Sequence, residues 1–285
     1  MKAKRARTGY ARRIGLAALI VAASLKSADA APSRIASINM CTDQLLLALA
    51  DPDQIAALSP YARDKHQSFM AAKAENFPAL SGNVEDVLML APDLVLAGRY
   101  TRRATREFLR QHGVALVEFD VARSLDDAKA QILQVGKLVG HIERAEAAVA
   151  RIDAAIERTR AAALKTPLRV LALSRRGWAP GGETLTASLL SAAGLANAAP
   201  ELGFKSGGFA SLEAIVALRP DLLLVADGGA DPEDQGQAFL RHSALERLYP
   251  PDRRVVIPER LTVCAGPMLA EALDRLTEAL KPFRK

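Results

Sequence analysis

Arginines, aromatic rings and two cysteines are the side chains in this sequence whose types and places suggest chemistry. They gather in turns that follow strand-like runs. Met40, Cys41 and Thr42 follow residues 34–39; Pro60, Tyr61 and Arg63 follow residues 54–59; Arg99 and Tyr100 follow residues 93–97. Farther along, Arg175, Arg176 and Trp178 follow residues 168–173, and Arg260 and Cys264 precede the last helical stretch. Turns beyond the C-terminal ends of strands are where open α/β sheets hold ligands. Ring faces suit a flat or greasy molecule, and guanidinium forks suit carboxylate, catecholate or propionate groups. A moderately basic site for an anionic ligand is therefore expected. Catalysis is not: no serine sits in a nucleophile-elbow sequence, and no histidine is placed to act as its base. His66, His112, His141 and His242 show no spacing suited to metal ligation, which speaks against direct zinc or manganese binding. No metal site and no resident cofactor are expected.

These residues need a scaffold, and composition supplies the material for one. Of 285 residues, 50% are apolar and 25% charged, which excludes disordered and collagen-like chains. The formal charge of +6 comes from the start of the chain. Removing the seven Lys/Arg and the one Asp of residues 1–30 from totals of 38 and 32 leaves 31 of each sign, so nothing points to a nucleic acid. Residues 1–30 combine a basic stretch to Arg13, an apolar run over 14–25 and the small-residue sequence Ala28-Asp29-Ala30. They read as a secretory signal cut near Ala30–Ala31. No cysteine follows the run to carry a lipid, so a soluble, exported, periplasmic and monomeric product is expected.

Beyond residue 33, short β-type runs alternate with helical ones, the pattern of an α/β fold with mainly parallel sheets. A helix over residues 43–50, capped by Thr42 or Asp43, follows the first strand. The rhythm restarts at residue 168. Two lobes are implied, residues 31–140 and 168–285, joined by a helix over 141–167 that is long enough to cross between them. The stretch 125–164 is poor in Gly and Pro, with a break at Gly140. Residues 227–236, with their glycines and acids, read as a mobile loop. An internal repeat supports the two lobes: Val84-Glu85 through Pro92-Asp93-Leu94 recurs as Leu212-Glu213 through Pro220-Asp221-Leu222, offset by 128 residues. Each copy is a helix stopped by proline and followed by a buried strand. That pattern explains Pro, Asp and Leu better than it explains the paired glutamates.

These segments, in this order, resemble the periplasmic substrate-binding proteins of ABC importers for ferric siderophores, haem and vitamin B12. The carriers are Arg34 to Asn39 leading into Thr42-Asp43-Gln44, the two Glu-to-Pro-Asp-Leu segments, Gly182-Glu183-Thr184-Leu185 leading to Ala193-Gly194-Leu195, and Gly266-Pro267. The resemblance implies two α/β lobes joined by one long helix, a ligand cleft between them, and no enzymatic activity. It implies an ABC permease, and through it an ATPase, as partners. In that family one glutamate per lobe docks on permease arginines, and by position these are Glu85 and Glu213.

The cleft so implied is faced by Cys41 from one lobe and Cys264 from the other. Packed thiols, a bridge that restrains opening, and soft ligation of a metal or haem iron are all open to them. Gly98 stands where vitamin B12-binding relatives place a large aromatic, and it leads into Arg99, Tyr100, Arg102 and Arg103. An anionic iron chelate, siderophore or haem, is therefore the expected cargo, with a corrinoid as the alternative.

Overall fold

A computed structural model describes residues 31–227 and 238–283. The signal reading of residues 1–30 and the loop reading beyond residue 227 lie outside the described residues.

The first sheet has four parallel strands in the order β2-β1-β3-β4: β1 Ile35–Ser37, β2 Ile55–Ala57, β3 Leu94–Gly98 and β4 Leu116–Phe119. The second has β5 Arg169–Leu173, β7 Ala196–Asn197, β9 Leu222–Asp227 and β10 Arg254–Pro258, parallel in the order β10-β9-β5-β7. In each sheet the central strands are mostly apolar and largely buried, which requires helices on either side. The helices are α1 Met40–Leu49, α2 Ala71–Ala74, α3 Val84–Met89, α4 Arg103–Gln111, α5 Leu125–Leu138, α6 Ile142–Ala161, α7 Leu185–Ala192, α8 Leu212–Leu218, α9 Ser243–Leu248 and α10 Leu269–Ala279. None of the described helices is long and apolar enough to cross a membrane.

Two local readings are corrected. Helix α1 begins at Met40, three residues before its expected start, because Asn39 rather than Thr42 or Asp43 caps it: the Asn39 side chain accepts from the N–H groups of Cys41 and Thr42. An unforeseen hairpin also stands beside the second sheet, pairing β6 Trp178–Pro180 with β8 Gly207–Phe209. Its short strands of Gly, Pro and Ala lack the apolar alternation by which strands are read.

The repeat has a structural explanation for most of its identities. Asp93 accepts from the N–H groups of Ser33 and Arg34 at 3.0 and 2.9 Å, tying β3 to the start of β1. Asp221 accepts from the N–H of Arg169 at 2.7 Å, tying β9 to β5 in the same way. The residue before each proline, Ala91 or Arg219, takes a positive φ of 43° or 46°, which ends the helix and turns the chain into the strand. Glu85 and Glu213 lie in the first turns of α3 and α8, exposed to solvent.

Between the sheets, Gly140 with φ of 78° separates α5 from α6. The two helices approach closely where a Cβ on Gly136 would lie 2.4 Å from that of Ala145. Helix α6 also meets α10: Arg158 forms a two-pronged ion pair with Asp274, and Thr277 donates to Thr159 at 2.9 Å. One apolar core runs from Ile35 and Leu96 through Leu45, Ile132 and Ile152 to Leu185, Leu189, Leu269 and Leu273. The two halves therefore share one apolar core, part of which borders the cavity described below.

Candidate ligand-binding cavity

A cavity of about 590 Å³ lies where the C-terminal ends of strands from both sheets face one another. That volume falls within the range of small-molecule sites. Its residues come from the β1–α1 turn, the ends of β3 and β4, the hairpin, the start of α7 and the segment between β10 and α10.

The floor is covalent. Cys41, in the first turn of α1, and Cys264, before α10, form a disulfide with their Cα atoms 5.2 Å apart. Of the three states open to these residues this is the bridge, so neither sulfur serves as a thiolate ligand to a metal or haem iron. Both still line the cavity. Thr42 beside Cys41 is fixed by bonds to Ser37 at 2.8 Å and to the Asn39 carbonyl at 2.9 Å. One residue on, the fully buried Asp43 carboxylate accepts from the N–H and hydroxyl of Ser59 at 3.0 and 2.5 Å. Burial pushes its pKa up to about 6, against these opposing hydrogen bonds. Asp43 thereby clamps the turn that carries Cys41 and Thr42 to the end of the second strand.

One wall is aromatic. Trp178 and Phe209 meet edge to face with ring centroids 5.1 Å apart, and Trp178 borders the cavity. The indole lies against backbone because Gly207, with φ of 146°, has no side chain: a Cβ there would sit 2.5 Å from the ring. Opposite it, Tyr100 is 81% exposed, with Val121 and Val263 close to the rim. Together these rings and methyl groups leave apolar surface exposed at the cavity.

Charge is sparse and nearly balanced. Arg99 borders the cavity but is paired with Asp120 at 2.7 Å, and Arg123, Glu183 and Glu259 complete the charged lining. Burial raises the pKa of Glu259, partly offset by the nearby Arg175 charge. The expected basic cleft is thus corrected. Of the sequence-derived residues, the structure brings together Cys41, Thr42, Arg99, Tyr100, Trp178 and Cys264 around one cavity, and leaves Met40, Tyr61, Arg63, Arg175, Arg176 and Arg260 out of its lining. Arg63 is spent on structure, donating to the carbonyls of Ala74 and Phe77. Sequence reading missed Val121, Arg123, Glu183 and Glu259. Val263 lies inside the 260–264 segment expected to face the cleft, and Glu259 immediately precedes that segment. Among the described residues no group of three His, Cys, Asp or Glu side chains is arranged to hold a metal ion.

Known proteins share this arrangement. Residues 35–249 match the family described as periplasmic binding protein, and the chain belongs to it. A cobalamin-binding protein of Halobacterium salinarum is 25% identical over 263 residues, an alignment that takes in 88% of this chain and 70% of the relative. An uncharacterised ABC transporter substrate-binding lipoprotein of Bacillus subtilis, YvrC, is 23% identical over 266 residues, 88% of this chain and 81% of its own. Among solved structures, the apo periplasmic haem-binding protein RhuT of Roseiflexus sp. RS-1 superposes with a TM-score of 0.73 at 24% identity, covering 89% of this chain and 99% of that one. This last likeness establishes the two-lobed fold.

Proposed function

We propose that this protein is the periplasmic receptor of an ABC importer, that it captures an iron chelate with broad apolar faces, of which haem is the type, and that it delivers the chelate to a membrane permease. The observation that carries this reading is the cavity itself: an apolar chamber between two packed lobes, with Trp178 and Tyr100 at its rim and few charges inside. Such a lining favours a ring system over a highly charged chelate, because desolvating several unpaired anionic groups there would cost more than two arginines return. Arg123 suits a carboxylate at the cavity, whereas Arg99 is already paired with Asp120. The binding of haem by RhuT and the ABC transporter description of YvrC are consistent with it. The receptor performs no chemical step, and its cargo is not a cofactor.

A corrinoid is the second reading, favoured by the cobalamin-binding relative. Titration of the protein with haemin, cyanocobalamin, ferric citrate and a ferric hydroxamate, followed by Trp178 emission with calorimetry beside it, separates the two. Saturable one-to-one quenching by haemin alone supports the first reading, and by cyanocobalamin alone the second. Silence in both methods for all four refutes the chelate reading.

A further inference from the structure

The Cys41–Cys264 disulfide does more than join two segments, because of where its sulfurs lie. It connects α1, which packs on the first sheet, to the segment leading from β10 of the second sheet into α10, and so ties the two halves at the floor of the cavity. Cys264 is 2% exposed, whereas Cys41 is only half buried, and the cavity is the space that both border. That cavity offers a small reagent a path to the bridge. The segment that follows supplies Thr262, Val263, Cys264 and Ala265 to the floor, and the bridge is its covalent anchor on the opposite lobe.

We infer that this cystine is a thiol-exchange site gated by cavity occupancy: a small dithiol reduces it in the empty protein, and a molecule seated in the cavity shields it. A thiolate of the dithiol attacks Cys41 Sγ, the sulfur of the more exposed residue of the pair; the S–S bond breaks and Cys264 leaves as the thiolate. The second thiol of the reagent then attacks the mixed disulfide, releasing Cys41 as thiolate. Two electrons pass to the protein, the reagent departs as a cyclic disulfide, and its two thiol protons balance the two thiols formed. Reduction frees the 262–265 floor from α1, leaving the apolar core behind it to hold the lobes. The shielding half of the inference rests on the receptor reading; the accessibility half does not.

Full-length mature protein is treated with dithiothreitol, quenched with iodoacetamide at intervals, and read by mass as the fraction carrying two alkyl groups, across urea concentrations below the unfolding transition. Access through the cavity gives a reduction rate that is proportional to dithiol and flat in urea. A rate that climbs with urea along the slope of global unfolding places the bridge out of reach in the folded chain and overturns the inference. With glutathione as a monothiol, the trapped mixed disulfide maps to Cys41; mapping to Cys264 overturns the assigned direction of attack. The same time course is then run with haemin or cyanocobalamin, whichever binds by calorimetry. Shielding slows reduction about 100-fold when free ligand is about 100 times its Kd. Binding without slowing refutes the gate. If calorimetry shows that neither binds, the chelate reading fails and with it the shielding claim, while the urea series still decides whether the cystine is reached through the folded cavity.

Discussion

Gly98 and Asn39 occupy one place in the fold. A Cβ on Gly98 at the end of β3 would lie 2.8 Å from Asn39 Nδ2 and 2.9 Å from its Cγ, and Asn39 is the residue that caps α1. The missing side chain on one strand therefore gives the cap of the neighbouring helix its room. That cap sets the turn bearing Cys41 and Thr42, so the glycine acts on the cavity floor through Asn39.

Gly98→Ala should displace the Asn39 side chain and lose the cap, at about 1 kcal/mol. Asn39→Ala should cost a similar amount. Because both changes remove the same interaction, the double variant should fall well short of their sum, and a double-mutant cycle on urea unfolding free energies measures that coupling. Additive losses would show that the two residues act separately.

The aromatic wall gives a contrast within the site. Trp178→Ala removes a ring that both borders the cavity and packs on Phe209, and should weaken haemin binding about 10- to 100-fold in calorimetry. Arg63→Ala should leave the affinity unchanged and lower stability by about 1–3 kcal/mol, since its guanidinium serves the carbonyls of Ala74 and Phe77. Equal effects of the two variants on affinity would contradict the boundary drawn around the cavity.

The fold was legible in the sequence because its signals are local. Residues 94–97, 170–173 and 222–225 are apolar runs closed by turns or helix starts, and the Pro-Asp steps mark the two strands that Asp93 and Asp221 tie in place. The candidate site was less so. Arginine positions after strands were visible, but whether each guanidinium points into the cavity depends on neighbours distant in sequence: Arg63 is drawn away by Ala74 and Phe77, and Arg99 is neutralised by Asp120. The hairpin escaped because its information lies in Gly207 and Gly208, whose role is to make space for Trp178 and Phe204. The absence of an aromatic at Gly98 argued against a corrinoid, yet Tyr100 two residues on presents a ring to the same cavity.

Asp43 makes stability depend on pH in a direction opposite to that of a paired carboxylate. Its folded pKa, about 6, lies above the ordinary value of 3.8 because the group is buried. Between those values the folded state binds more protons than the unfolded one, so this contribution is full below about pH 4 and is lost as pH rises through about 6. A rise from 3.8 to about 6 corresponds to about 3 kcal/mol. Asp51, Asp86 and Asp93, whose pKa values are lowered by hydrogen bonds, lose stability on acidification and mask part of the effect. Comparing wild type with Asp43→Asn isolates it: the stability of wild type relative to the variant should rise as pH falls from 7 to 4. A difference constant across that range would show that Asp43 titrates normally.

Glu85 and Glu213 are the repeat positions that the fold does not use. Asp93 and Asp221 tie strands, the prolines end helices and the leucines fill the sheets, whereas both glutamates remain on the surface in equivalent first turns, one on each lobe. Its own backbone N–H and the Ser211 side chain lower the pKa of the Glu213 carboxyl. Under the docking role that the family resemblance implies for them, two such anions would meet a spaced pair of arginine forks on a permease, and engaging both would require both lobes to be correctly placed. The variant Glu85→Ala/Glu213→Ala should keep its ligand affinity and its melting temperature while failing to stimulate ATP hydrolysis by the reconstituted transporter. Each single variant should lose about tenfold or more in apparent affinity for the transporter, and charge-retaining Glu→Asp changes should recover part of it. Undiminished stimulation by the double alanine variant would show that the shared glutamates serve only to favour the starts of their helices.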